Sequence, residues 1–217
     1  MYGEGRDTAT GSQTGPKSFG AVLVLAGGSS RRLGTSKAWL AWDDTPLLIR
    51  ILERLSPLAE RTIVAARPGQ ALPDGRFERV DDDLPGAGPL AALAAGLARV
   101  AADDPAARVA VSACDYPFAD PNLLAALAVA APQADVVLPR WQGELHPLQA
   151  VWRAAVASRC AHALGEGTRR VRDLIARLDG VVVDAAGLAG VLAPGRALLN
   201  LNDPADLDRA REWARKR

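Results

Sequence analysis

The chain has 217 residues, 49% of them apolar, which is enough to bury one sizeable core in a single domain. Its 26 Lys and Arg nearly balance its 25 Asp and Glu, for a formal charge of +1. That balance excludes an electrostatic demand for nucleic acid or an anionic membrane and favours a small-molecule substrate. Residues 1–19 carry Gly, Ser, Thr, Gln and charges without apolar periodicity, so a floppy tail is expected there and the domain over 20–217. No run of signal-peptide type stands in the tail, and no later segment stays apolar long enough to cross a bilayer, so a soluble, cytoplasmic protein is expected. Cys114 and Cys160 lack the close pairing of zinc and redox motifs, which suits a reduced compartment.

The first element is the clearest. Residues 20–26 are continuously apolar and break into Gly27 and Gly28, as a buried parallel strand entering a loop should. Thr45 and Pro46 read as an N-cap and first helical position, followed by Leu47, Leu48, Ile51, Leu52 and Leu55 at helical spacing. Strands are expected over 61–66 and 77–80, the latter running into Asp81, Asp82 and Asp83. A helix over 89–100 and a buried strand over 108–113 follow, then Asp120 and Pro121 repeat the cap signal before a helix over 123–130. Residues 134–138 and 148–152 bracket a turn at Gln142 and Gly143, which suggests a strand and its return strand. Helices over 153–164 and 168–178, a strand over 181–184 and a helix capped at Asp203 and Pro204 complete the chain. This alternation predicts a three-layer α/β domain with a mostly parallel sheet. In such sheets ligands sit beyond the carboxyl ends of the strands, so 27–37, 81–89 and 114–118 are expected to converge.

The segment 27–37 is rich in glycine and cations, so its amides can approach phosphate oxygens while Arg32 and Lys37 neutralise charge. The bland alternative is an ordinary surface loop. Its spacing fits neither a Walker A loop nor the dinucleotide glycine pattern. Lysine occurs only at positions 17, 37 and 216 in a chain that otherwise uses Arg, so Lys37 marks either a need for a compact ammonium or an incidental surface residue. Asp115, one residue past a strand end, either holds a divalent cation such as magnesium or satisfies loop amides. One of Asp81, Asp82 and Asp83 could meet ribose hydroxyls or the metal, with the others solvated. Cys114 reads as a small buried apolar side chain, since no partnered base is evident.

Taken in order, Leu25-Ala26-Gly27-Gly28 with Ser30, Arg32, Gly34 and Lys37, then Gly88-Pro89-Leu90, Cys114-Asp115-Tyr116-Pro117, His146-Pro147, Arg169-Arg170-Val171 and Asn200-Leu201-Asn202 resemble the motifs of the molybdenum cofactor guanylyltransferases. The resemblance spans residue 21 to the C-terminus. It implies a Rossmann-like nucleotidyltransferase fold that joins GMP from GTP to molybdopterin, releases pyrophosphate and uses magnesium. It implies that Leu25, Ala26, Gly27 and Gly28 hold guanine and ribose, that Lys37 contacts phosphates, that Ser30, Asp81, Gly88 and Pro89 meet the nucleotide, and that Asp115 binds magnesium. Arg169, Arg170, Asn200 and Asn202 would serve the pterin side. Transient contact with cofactor-biosynthesis proteins or acceptor molybdoenzymes would also follow. The sequence departs from the pattern at Ser36, where the family usually has Asp, at Ala66, where an Asn often closes the second strand, and at Leu33, usually Met.

The mechanism so implied is in-line attack of a pterin phosphate oxygen on the α-phosphorus of GTP, with Lys37, Arg32 and the metal on Asp115 stabilising the departing charge and no protein nucleophile. Competing readings are cytidylyl transfer to the same pterin, nucleotidyl transfer to another phosphorylated metabolite, and a non-catalytic nucleotide- and pterin-binding protein.

Overall fold

The computed structural model describes residues 18–27, 36–84, 86–191 and 193–215. The first apolar run forms β1 (Ala21–Leu25), and all five of its side chains are buried, as a strand covered on both faces requires. β2 (Ala41–Trp42) and β3 (Thr45–Pro46) make a small antiparallel ribbon that turns at Asp43 and Asp44, both at positive φ. Thr45 is thus not a helix cap: it pairs with Trp42, and α1 (Leu47–Leu55) starts after Pro46 with no side-chain cap. The expected apolar stripe is nonetheless the buried face of that helix.

β4 (Thr62–Ala66), β5 (Glu78–Asp81), α2 (Pro89–Ala101) and β6 (Arg108–Ala113) follow within a residue of the expected bounds. α3 (Pro121–Ala130) is capped by Asp120, whose Oδ1 accepts from the Asn122 N–H at 2.9 Å. β7 (Val136–Trp141), β8 (Glu144–Leu145) and β9 (Ala150–Arg153) come next, and Gln142 and Gly143, with φ of 50° and 82°, make the turn between β7 and β8. α4 (Ala157–Gly165) begins later than its periodicity suggests, because Arg153 pairs with Arg108 as strand and the Ala154 N–H then donates to the Ala107 carbonyl.

α5 (Val171–Ile175) is also short. Gly167, at φ 89°, and Thr168 turn their N–H groups back onto the Leu164 and Ala163 carbonyls, so the start expected for α5 is spent closing α4. β10 (Gly180–Val183), a short α6 (Pro194–Ala197) that the sequence reading did not foresee, and α7 (Pro204–Arg215) complete the order. Asp203 Oδ1 accepts from the Asp206 N–H at 3.0 Å, as expected of that cap.

The eight-stranded sheet runs β10-β7-β9-β6-β1-β4-β5, with β8 paired to β7. β9 lies antiparallel to both its neighbours, β6 and β7, and the other pairs along this order are parallel. From β1 the chain moves through α1 to β4 on one side, whereas from β5 it returns through α2 past β1 to β6. Right-handed crossovers in opposite directions put α1 and α2 on opposite faces, which gives the three layers. α2 lies so close to β1 that a Cβ on Gly96 would collide with Leu23. The core reaches back to Phe19, 5% exposed and bridged to Ala59, so the fold begins inside the stretch read as tail. β1 is the strand from which the order departs both ways, and the crevice at its carboxyl end is where such sheets take ligands.

Candidate nucleotide site

A cleft of about 740 Å³ opens at that crevice. Leu25, Ala26 and Gly27 bring the end of β1 to it, Arg67 and Pro68 the end of β4, Asp82 and Leu84 the end of β5, and Cys114 and Asp115 the end of β6. Gly88 and Pro89 open α2 on the same cleft. Gly88 has φ 71° and ψ −159°, a conformation open essentially to glycine alone, and Pro89 suits a first helical turn whose amide would be unpaired anyway.

Lys37, in a short 3-10 turn, reaches into the cleft from beside β6. Its Nζ lies 3.8 Å from Asp115 Oδ2 and donates to the Leu201 carbonyl. The Leu201 N–H in turn donates to the Asp115 carbonyl at 2.8 Å, so the segment holding Asn200 and Asn202 is stitched to both charged residues. Burial pushes the Asp115 carboxyl up from its ordinary value, and the Lys37 ammonium opposes that. Asp115 Oδ1 is buried with no hydrogen-bond partner in the protein. Such an oxygen is suited to a cation. Among the described residues no cluster of three acidic, His or Cys side chains could hold a metal, but magnesium needs few protein oxygens when phosphates and water complete its shell. The residues present therefore fit a nucleotide-borne magnesium.

The structure brings together Leu25, Ala26, Gly27, Lys37, Gly88, Pro89 and Asp115, while Gly28, Ser30 and Arg32 lie outside the described residues. Asp81 is exposed and paired to Arg79 Nε at 2.7 Å outside the cleft lining, whereas its neighbour Asp82 lines the cleft. Alternation explains this, since Val80 and Asp82 share the inward side of the chain and Arg79 and Asp81 the outward side. The parity of Val80 was a signal available in the sequence. Burial raises the Asp82 carboxyl, and the Leu84 amide and Arg67 act against it.

Arg169 spends its guanidinium on the Leu164 and Thr168 carbonyls at 2.9 and 3.0 Å, yet its own carbonyl lies 3.8 Å from where a Gly88 Cβ would sit. Arg170 is exposed just before α5. Asn200 Oδ1 is buried and unpartnered, whereas Asn202 is exposed and donates its main-chain N–H to Asp206. Behind Asp115, the buried Tyr116 hydroxyl meets His146 Nδ1 at 3.3 Å, and burial lowers the His146 pKa so that the ring is neutral around pH 7. Cys114 is buried and its thiol is pushed well up by desolvation, which leaves it protonated and no nucleophile. Asp82 and Leu84 fall in the segment expected to converge here, whereas Arg67, Pro68 and Leu148 are cleft residues that the sequence reading did not single out.

A cleft at the switch point of such a sheet, with an ammonium beside a half-committed carboxylate, fits an enzyme of the nucleotidyltransferase class. Residues 22–181 match the family described as MobA-like NTP transferase domain, and the chain belongs to that family. It is 37% identical to a molybdenum cofactor guanylyltransferase of Sinorhizobium fredii over 88% of this chain and 90% of that protein. It is 38% identical to a probable molybdenum cofactor guanylyltransferase of Mycobacterium tuberculosis over 86% of this chain and 90% of the relative. Among solved structures, molybdopterin-guanine dinucleotide biosynthesis protein A of Archaeoglobus fulgidus superposes with a TM-score of 0.76 at 26% identity, covering 91% of this chain and 100% of that one. No helix among the described residues is long and apolar enough to cross a membrane.

Proposed function

We propose that the protein transfers GMP from GTP to the terminal phosphate of molybdopterin in the cytoplasm, releasing pyrophosphate and forming the guanine dinucleotide cofactor. The observation that carries this reading is the meeting of Lys37 Nζ, 3.8 Å from Asp115 Oδ2, with the unpartnered Asp115 Oδ1 in a cleft at the sheet's switch point. Relatives over most of the chain that bear the name molybdenum cofactor guanylyltransferase direct the choice of base and acceptor.

In the reaction an acceptor phosphate oxygen forms a bond to the α-phosphorus while the bond from that phosphorus to the bridging oxygen of the β-phosphate breaks. The acceptor oxygen is already ionised at neutral pH, so no protein base is needed. Lys37 supplies a fixed positive charge to the phosphates, and the Leu201 carbonyl and Asp115 hold that ammonium in place. The Gly88 turn and the N-terminal end of α2 line the same cleft, and the positive end of the helix dipole there favours negative charge. Asp115 would hold magnesium, which when bound neutralises phosphate charge and orients the triphosphate. Arg32 adds charge from the glycine-rich loop. Arg169, Arg170, Asn200 and Asn202 would serve the pterin: the Arg169 carbonyl lies 3.8 Å from where a Gly88 Cβ would sit, and Leu201 joins the segment of Asn200 and Asn202 to Lys37 and Asp115.

The test is pyrophosphate release with molybdopterin as acceptor and GTP, ATP or CTP with magnesium as donor. Turnover with GTP and little with CTP is expected. A clear preference for CTP would replace guanylyl by cytidylyl transfer, and no release with any nucleotide would leave a binding protein.

A further inference from the structure

With phosphates drawn to Lys37 and Asp115, a nucleoside in this cleft must extend toward the end lined by Ala26, Gly27, Arg67, Pro68 and Asp82. That wall is held from behind by a side chain outside the lining. Gln70 Nε2 donates to the Ala26 carbonyl at 3.0 Å, although the two residues are 44 apart in sequence. Gln70 Oε1 accepts from the Arg67 main-chain N–H at 3.3 Å. One carboxamide therefore ties the turn after β1 to the turn after β4.

Gln70 is itself clamped. Arg79 donates through Nη1 to the Gln70 carbonyl at 2.7 Å and through Nη2 to the Arg67 carbonyl at 2.9 Å, while its Nε meets Asp81 Oδ1 at 2.7 Å. The contacts run from Asp81 through Arg79 and Gln70 to Ala26, across the ends of three strands. Ala66 closes β4 with a buried methyl group and offers the turn no polar side chain of its own. A carboxamide fits, because it offers a donor to one main-chain group and an acceptor to another. Glutamate would set a negative charge against the Ala26 carbonyl.

We infer that Gln70, seated by Arg79 and Asp81, is a positioning residue that sets the nucleoside-side wall of the cleft and thereby the affinity and base selectivity for the nucleoside triphosphate. This deepens the reading of the cleft as a nucleotide site and rests on it. Asp81 serves the nucleotide through this brace, without touching it. Bases are told apart by where the main-chain donors and acceptors of such a wall point, so a wall released by a few tenths of an ångström binds less tightly and discriminates less.

The experiment compares the parent chain with Gln70→Ala, Gln70→Glu and Arg79→Met in pyrophosphate release and in thermal shift by GTP, ATP and CTP with magnesium. Loss of the two main-chain hydrogen bonds of the Gln70 carboxamide should raise the KM for GTP about fivefold to tenfold and leave kcat and the acceptor KM nearly unchanged, with the preference for GTP over ATP narrowed. Gln70→Glu should be at least as severe as Gln70→Ala, and Arg79→Met combined with Gln70→Ala should add less than the sum of the single effects. Unchanged KM and selectivity in a folded Gln70→Ala protein would overturn the brace, as would a parallel decay of kcat, both KM values and thermal midpoint. A parent shifted by no nucleotide would overturn the site itself, whereas a parent shifted by GTP and variants shifted equally would overturn the brace alone.

Discussion

Replacing Lys37 by Met removes the ammonium from the cleft while keeping most of the side chain's length. At the observed 3.8 Å from Asp115 Oδ2, two unit charges interact by about 4 kcal/mol at an effective dielectric near 20 and by about 1 kcal/mol in water. The side chains of Lys37 and Asp115 are 19% and 24% exposed, so the operative value lies between those limits. A triphosphate brings several negative charges to the same ammonium, and charge grows on the leaving pyrophosphate as the bond breaks. Removing a preorganised charge of this kind costs about 10²- to 10³-fold in turnover, or about 2.7 to 4 kcal/mol. The ammonium also holds the Leu201 carbonyl, a contribution of about 1 kcal/mol to stability. The assay is kcat/KM for GTP by pyrophosphate release beside thermal unfolding of the same protein. The expected outcome is a fall of about two to three orders of magnitude with only a modest loss of thermal midpoint. A folded Lys37→Met protein with kcat/KM within about threefold of the parent would refute the reasoning.

Asp115→Asn should lose turnover on the same scale, about 10²- to 10³-fold, and should abolish the magnesium dependence of GTP thermal shift, read with and without a chelator. Asp135 offers a control at the other end of the sheet. Its carboxylate pairs with Arg159 and accepts from the Asp179 N–H at 2.9 Å, which holds its pKa below the ordinary carboxylate value. A lowered folded pKa means that its stabilisation is full above the unfolded value and is lost as pH falls through the folded one. Asp135→Asn should therefore lower stability by about 1 to 2 kcal/mol at pH 7, lose that difference in acid, and leave kcat/KM unchanged, as denaturant titrations at two pH values and the release assay would report. Gly88→Ala places a Cβ at φ 71°, for a strain of about 1 to 3 kcal/mol that should lower both thermal midpoint and turnover.

Much of the fold was legible because local physics writes it plainly. An uninterrupted apolar run means a strand buried on both faces, as β1 is, and Asp120 with Pro121 means a helix start, as at α3. The same signal failed at Thr45 and Pro46, where pairing with Trp42 claims the chain first, and the helix expected from residue 168 starts only at Val171 because the Thr168 N–H closes α4 on the Ala163 carbonyl. Charge clusters were the harder case. Three consecutive aspartates look alike in composition, and beyond the parity of Val80 it is the inward direction of Asp82 against the outward pairing of Asp81 with Arg79 that tells those two apart.

By itself the sequence determined the alternation of strands and helices and put forward Lys37 and Asp115 as charged candidates for the site, because periodicity and residue type act over a few neighbouring positions. The tertiary structure alone decided that Leu201 would hold Lys37, that Gln70 would hold Ala26 and that Asp115 would keep one buried oxygen uncommitted. Those contacts join residues 164 and 44 positions apart, and no local pattern carries information across a separation that only the packed sheet closes.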